Sequence, residues 1–304
     1  MLRIDNISFA YEKRTVLESI DIKAGRGEHV SIVGESGSGK STLLKLIYGE
    51  YDLARGEIFW GNTRILGPKF NLVVGYDFIK MVAQEFDLMP FISVEENVGK
   101  YLSNFFLEEK KERVKELLEV VELNDFAKTK VKFLSGGQKQ RVALARALAK
   151  QPEIILLDEP FSHIDNFKKQ SLRRSLFNYL KQKNITCIVA THDHEDVLGY
   201  ADQMVVMHNS KVIQRGTPEQ LYKNPKNPLV ASFFGEYNCI NGLIVYDFQL
   251  KVKEGAPFIA EVEDCYYKGQ YYLITGIGVS QKFLFRHPCP IEKGTKVHLE
   301  ISAW

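Results

Sequence analysis

The octapeptide Gly34–Ser41, "GESGSGKS", sets three glycines, a lysine and a hydroxyl at the spacing G-x-x-x-x-G-K-[ST]. That combination has a specific chemical use. The glycines let the backbone wrap closely around phosphate oxygens, the lysine reaches the β- and γ-phosphates of a nucleotide, and the hydroxyl ligates Mg²⁺. Gly34, Glu35, Ser36, Gly37, Ser38 and Gly39 would form the cradle, with Lys40, Ser41 and Thr42 opening a helix behind it. Average residue usage produces such a pattern by accident in roughly 1% of chains this long. The strand-like "HVSIV" directly upstream lowers that figure further.

Two more stretches add to this chemistry. "EIILLDEP" reads as a buried strand ending in Asp158 and Glu159. An acid at the end of a strand beside a phosphate loop assists Mg²⁺, which assigns Asp158 to the metal alongside Ser41. Glu159, one residue on, can aim its carboxylate at an attacking water as a general base. "FLSGGQKQRVALARAL", Phe133 to Leu148, places Ser135, Gly136, Gly137 and Gln138 where a helix begins. Backbone N–H groups and the positive end of the helix dipole make that turn a second anion site, one without a lysine.

The surrounding pattern shows what must position these groups. Leu2, Ile4, Ile7 and Phe9 alternate as in a half-buried strand, and "SIDIKA" and "HVSIVG" read as further strands. Residues 93–123 change to helix: Ser93 with Glu96 makes a capping box, and Val114, Leu117, Leu118 and Val121 recur at helical spacing. "EIILLDEP" and "NITCIVATH" then flank a helix whose apolar face is Leu172, Leu176, Tyr179 and Leu180. Strands alternating with helices predict a wound α/β fold with a helical insertion at about 88–150.

After "LYKNPKNPLVASFFGEYN" the helical pattern ends. Short β runs follow ("NGLIVYDF", "PFIAEVED", "YYLITGIGV", "KFLFRH", "KVHLEI"), predicting a small β-barrel of roughly 65 residues. The expected domains are therefore 1–236 and 237–304. Eleven aromatics lie in the second, where they could stack bases. Basic and acidic residues nearly balance there, so no basic groove exists and core packing is the better reading.

Composition agrees with a globular protein of two domains: 304 residues, 45% hydrophobic, net charge +2. Bulk charge therefore calls for no nucleic acid. No apolar run approaches the ~20 residues of a spanning helix, and "MLRIDNISFA" has no signal-peptide core. The expectation is a protein kept in the cytosol that meets a membrane only through other subunits. Cys187, Cys239, Cys265 and Cys289 stand far apart, as scattered reduced thiols do. "ATHDHED" sets His192 and His194 as His-x-His with Asp196 nearby, as in zinc hydrolases. No other histidine motif converges on it, so a zinc site is set aside.

In order along the chain, "GESGSGKS", Gln84 in "VAQEFDLMP", "LSGGQ", "IILLDEP", Asp165 in "FSHID" and His192 in "ATHDHED" resemble the ATP-binding-cassette family. The resemblance covers residues 1 to about 237 and implies a phosphate-loop ATPase cassette binding ATP and Mg²⁺. It implies that Tyr11 stacks on adenine and that Gln84 senses metal and γ-phosphate and links to a transmembrane partner. It further implies that Lys40, Glu159 and His192 serve catalysis.

In this family two copies pair head to tail, so Ser135, Gly136, Gly137 and Gln138 would face the nucleotide held by the second copy, and Asp165 would bridge to that site. The second cradle then needs no lysine. "RGTPEQLYKNPKNPLVASFFGEYNCINGLI" resembles the entry into the regulatory β-domain of import-type subunits, an oligomer-binding-like module called TOBE. That branch implies permease subunits, an extracytoplasmic binding protein acting indirectly, and a peripheral place on the cytoplasmic face of the inner membrane.

Two features depart from the pattern: "RILGPKFNLVVGYDFIKMVA" ahead of Gln84, with Ala83 in place of an aromatic, and the bulky His163 in "FSHID". The competing reading is a soluble, non-transport ATPase of the same family acting on ribosomes or nucleic acid. Such proteins commonly carry two cassettes or long coiled-coil insertions, and this chain shows neither.

Overall fold

The computed structural model describes residues 1–12 and 14–302. The chain divides into two compact units, Met1–Glu219 and Gln220–Trp304. The first unit runs β1 (Leu2–Tyr11), β2 (Arg14–Ala24), β3 (His29–Gly34), α1 (Lys40–Tyr48), β4 (Arg55–Trp60), β5 (Thr63–Arg64) and β6 (Ile79–Val82). Helices α2 (Val94–Gly99), α3 (Leu107–Val120) and α4 (Gly136–Leu148) follow. The sheet then resumes with β7 (Ile154–Asp158), α5 (Asn166–Gln182), β8 (Thr186–Thr191), α6 (His194–Leu198), β9 (Gln203–His208) and β10 (Lys211–Gly216).

Two sheets form. The antiparallel one has the order β2-β1-β4-β5, and the other has the order β10-β9-β3-β8-β7-β6. In the second, β9, β3, β8, β7 and β6 are parallel and β10 closes one edge antiparallel. Side chains on a strand alternate in direction, so a central parallel strand must be apolar on both faces. β7 shows this directly. Ile154 and Leu156 join the core shared with α1 and the antiparallel sheet, while Ile155 and Leu157 join the core beneath α3, α4 and α5. β8 divides the same way, with Ile188 and Ala190 on one side and Cys187 and Val189 on the other.

Helix α1 lies between the sheets. Its Leu43, Leu44 and Ile47 share a core with Leu2, Ile4 and Ile7 of β1 and with Leu17, Ile20 and Ile22 of β2. Each such fully buried side chain contributes roughly 1.5–3 kcal/mol. The phosphate loop at the head of α1 is therefore anchored from two directions.

The stretch 93–123 is two helices rather than one. The Ser93–Glu96 capping box is present at the start of α2. Gly99 closes α2 where it packs closely on α3: a Cβ on Gly99 would lie 2.9 Å from Lys110 Cε.

In the second chain segment, α7 (Pro218–Lys223) and α8 (Pro228–Phe234) precede β11 (Tyr237–Ile240), β12 (Leu243–Tyr246), β13 (Leu250–Val252), β14 (Phe258–Tyr267), β15 (Tyr272–Ile277), β16 (Lys282–His287) and β17 (Lys296–Ile301). β11 pairs with β12, and the other five form an antiparallel sheet ordered β13-β17-β14-β15-β16. Its edge strands β13 and β16 approach one another, so the sheet is nearly closed. Phe283 and Phe285 fill its core with Ile274 and Leu299, whereas Tyr266 and Tyr267 are exposed.

Candidate active site

The parallel register gathers the site. Val33 pairs with Thr191, Asp158 with Ala190, and Val82 with Leu157. Gly34, His192, Glu159 and Gln84 thus leave the sheet along one edge, at the carboxyl ends of the strands, where α/β folds bind ligands.

The phosphate loop joins β3 to α1. Gly39 caps α1 with φ 102 and no side-chain cap, and a Cβ there would lie 2.7 Å from Leu17 Cδ2. The first turn of α1 has no acidic residue, so its N–H groups and dipole remain suited to an anion. Lys40 Nζ donates to the carbonyls of Gly34 at 2.7 Å and Glu35 at 3.0 Å, which folds the ammonium over the loop. Burial lowers its pKa against the opposing pull of Glu159 and Asp158. Ser38 Oγ is buried without a hydrogen-bond partner inside the same loop.

An open pocket of about 250 Å³ lies beside this loop, lined by Gly37, Gly39, Lys40, Ser41 and Thr42 together with Tyr11, Arg14 and Val16. Tyr11 is 41% exposed at its rim. Its ring is held edge-on by Phe9 at 4.9 Å and Tyr51 at 5.5 Å, and its hydroxyl lies 3.5 Å from Thr42 Oγ1. Arg14 and Val16 were not legible as site residues. They belong to β2, and only the tertiary packing of β2 on the loop brings them here.

Asp158 is the buried carboxylate of the site. Its Oδ1 has no hydrogen-bond partner, and burial raises its pKa against the opposing pull of the Ser41 hydroxyl. A buried carboxylate oxygen without a partner is costly. A divalent cation between Asp158 and the Ser41 hydroxyl would satisfy it, so the donor set fits Mg²⁺.

Glu159 follows with φ 50, a left-handed conformation that costs a residue with a Cβ roughly 1–3 kcal/mol. Several bonds hold it there. Its N–H donates to Ala190 O at 2.9 Å, and its carbonyl accepts from Gln140 Nε2 at 2.9 Å and Ser162 Oγ at 3.0 Å. Its Oε1 lies 2.8 Å from His192 Nδ1. Gln140, in α4, is fully buried.

The second turn is a capped helix start. Ser135 Oγ accepts from the Gln138 N–H at 3.3 Å, and Gln138 Oε1 accepts from the Ser135 N–H at 2.8 Å. Gly137 is needed for close approach, since a Cβ would lie 2.7 Å from the His163 carbonyl. This turn and the loop carrying Asp165 therefore pack as one surface. Asp165 caps α5 through its carbonyl, its side chain making no cap bond. Gln84 is exposed just past β6 and His194 is exposed at the start of α6. Among the described residues no helix is long and apolar enough to cross a membrane.

A phosphate loop on α1, an orphaned carboxylate beside its serine, and a held glutamate one residue on define an ATP-hydrolysing cassette. Comparison with known proteins agrees. A family model described as "ABC transporter" matches residues 17–162. The spermidine/putrescine import ATP-binding protein PotA of Clostridioides difficile (strain 630) is 36% identical over 258 residues, covering 82% of this chain and 72% of that protein. PotA of Clostridium novyi (strain NT) is 35% identical over 251 residues, covering 82% and 71%.

Among solved structures, the dimeric post-hydrolysis state of the ATP-binding cassette MJ0796 bound to ADP and Pi is 30% identical, with TM-score 0.63, covering 72% of this chain and 99% of that one. Clostridium perfringens cbiO1, part of the transporter complex cbiONQ, is 30% identical with TM-score 0.65, covering 73% and 90%. The chain belongs to the ABC transporter family. It is an ATP-hydrolysing transporter subunit whose nucleotide is ATP with Mg²⁺.

Proposed function

We propose that this chain drives import of a small organic polycation, of the polyamine class, by closing as a homodimer on two ATP molecules beneath permease subunits. The cargo class is supported by the PotA relatives, which are spermidine/putrescine import proteins by name. The paired arrangement is supported by the dimeric cassettes of similar fold and by the second anion turn, which does not line the pocket beside this chain's own phosphate loop.

In this reading Lys40 and the α1 N-terminus hold the phosphates, and Tyr11 receives the adenine. Mg²⁺ between Ser41 and Asp158 would neutralise charge on the β- and γ-phosphate oxygens. Glu159 takes a proton from the water that attacks the γ-phosphorus in line. His192 steadies the γ-phosphate, and Ser135, Gly136 and Gly137 of the second copy complete the charge shell with backbone donors. Gln84 and Asp165 sense metal and partner. Residues 1–236 would act as the cassette, and residues 237–304 as the TOBE-like regulatory domain. An extracytoplasmic binding protein would deliver cargo, and the chain would sit on the cytoplasmic face of the inner membrane.

The observation that carries this is the 2.8 Å Glu159–His192 pair standing beside the unpartnered oxygen of Asp158. The test is to co-express the chain with its membrane partners and follow labelled spermidine into inverted and right-side-out vesicles. ATP-dependent uptake that is lost in Glu159→Gln supports the reading. Recovery of the chain on ribosomes or nucleic acid alone, with no permease, contradicts it.

A further inference from the structure

A groove of about 390 Å³ opens in the first unit, lined in part by Lys80, Ala83, Phe86, Ala143 and Arg146. Phe86 has a second neighbour. Its ring meets the imidazole of His163 edge-on, with centroids 5.8 Å apart. An edge-to-face pair of this kind fixes the two rings relative to each other. The His163 N–H then donates to Gln140 Oε1 at 3.2 Å, and Gln140 Nε2 donates to the Glu159 carbonyl at 2.9 Å. Gln140 is fully buried with both ends of its amide engaged, so neither bond exchanges cheaply with water. The Glu159 backbone sits in a left-handed conformation that the surrounding bonds must maintain.

We propose that Phe86, His163 and Gln140 form a positioning relay linking the wall of the groove to the aim of the Glu159 carboxylate. None of the three touches the reacting atoms; each acts through the next. A displacement of Phe86 moves the His163 ring and its peptide. That alters the geometry at Gln140 and hence at the carbonyl that holds Glu159 in its conformation. His163 is thereby given a use that a small side chain at the same position could not supply. The relay rests on the reading of Glu159 as general base.

Spatial continuity alone does not demonstrate coupling, so the test is a double-mutant cycle on the full-length chain. Phe86→Leu, His163→Ala, Gln140→Met and the pair Phe86→Leu/Gln140→Met are compared for kcat, KM for ATP and melting temperature. The relay predicts that each single change lowers kcat about five-fold, equivalent to ~1 kcal/mol, with KM for ATP little changed. The double variant should fall no further than Gln140→Met alone. Losses that multiply in the double variant, or an unaltered kcat in Gln140→Met, overturn the proposal. Should Gln140→Met not fold, the cycle of Phe86→Leu with His163→Ala applies the same criterion, because His163→Ala keeps the backbone donor. Glu159→Gln separates the two readings. Turnover that survives it removes the base assignment, whereas a dead Glu159→Gln with a multiplicative cycle removes only the relay.

Discussion

His192 Nδ1 lies 2.8 Å from Glu159 Oε1, joining the loops that follow the neighbouring strands β7 and β8. The contact is lopsided: the Glu159 side chain is 12% exposed and that of His192 is 72% exposed. The Glu159 backbone is fixed by hydrogen bonds to its N–H and carbonyl, while the exposed imidazole can swing toward solvent or a phosphate. This division suits a stationary base and a movable phosphate contact.

His192→Ala should therefore lower kcat by ~10²-fold, the range for losing one positioned donor at a developing charge. Stability should change by less than about 0.5 kcal/mol because the ring is exposed. Steady-state ATPase assays with thermal melts check this. A large drop in melting temperature would assign the histidine to the fold instead.

Asp158→Asn should raise the Mg²⁺ concentration needed for half-maximal ATPase activity by at least ~10-fold. In the absence of nucleotide and metal, the same change should leave stability unaltered or improved, because it removes a buried charge whose Oδ1 has no partner. Urea midpoints with and without Mg-ATP read both effects.

Arg173 is buried on α5 and grips the segment just after His192, contacting Asp193, Glu195 at 2.6 Å and Asp196 at 2.5 Å. Glu195 is half exposed and contributes little. Asp196 is buried, so removing its partner strands a charge. Arg173→Ala should cost about 3–5 kcal/mol in urea unfolding. A cost below about 1 kcal/mol would show that the cluster holds nothing together.

Much of this was legible beforehand, and the reason differs by element. The strand before Asp158 announced itself by four consecutive apolar residues, since a central parallel strand is buried on both faces. The capping box at Ser93 was readable because a cap is local chemistry spanning four residues. The close packing of Gly99 against α3 was not, because Lys110 arrives there from a different turn. Gln140 and Arg173 also escaped notice. Each looks like an ordinary polar residue on a helix, and only the packing of α4 and α5 onto distant loops shows why it is buried.

His29, buried in β3, is held down to about 4 from the ordinary 6.5, by burial and by the Lys181 ammonium. The unfolded chain therefore binds the extra proton between these values, and stability should rise with pH across that window and be lost as pH falls through it. The shift corresponds to about 3 kcal/mol. His29→Leu should flatten this part of the pH–stability curve measured by urea unfolding. An unchanged slope would mean that other groups set the acid sensitivity.

The most direct test of the account is sedimentation of Glu159→Gln with Mg-ATP, run alongside a Ser135→Arg version of the same variant. With Glu159 as the proposed base, this variant should bind ATP, turn it over at least ~10²-fold more slowly, and accumulate as a dimer. The Ser135→Arg version should bind ATP and remain a monomer. A Glu159→Gln protein that still hydrolyses ATP at the normal rate, or that stays monomeric with nucleotide bound and partners supplied, would contradict the shared-site mechanism.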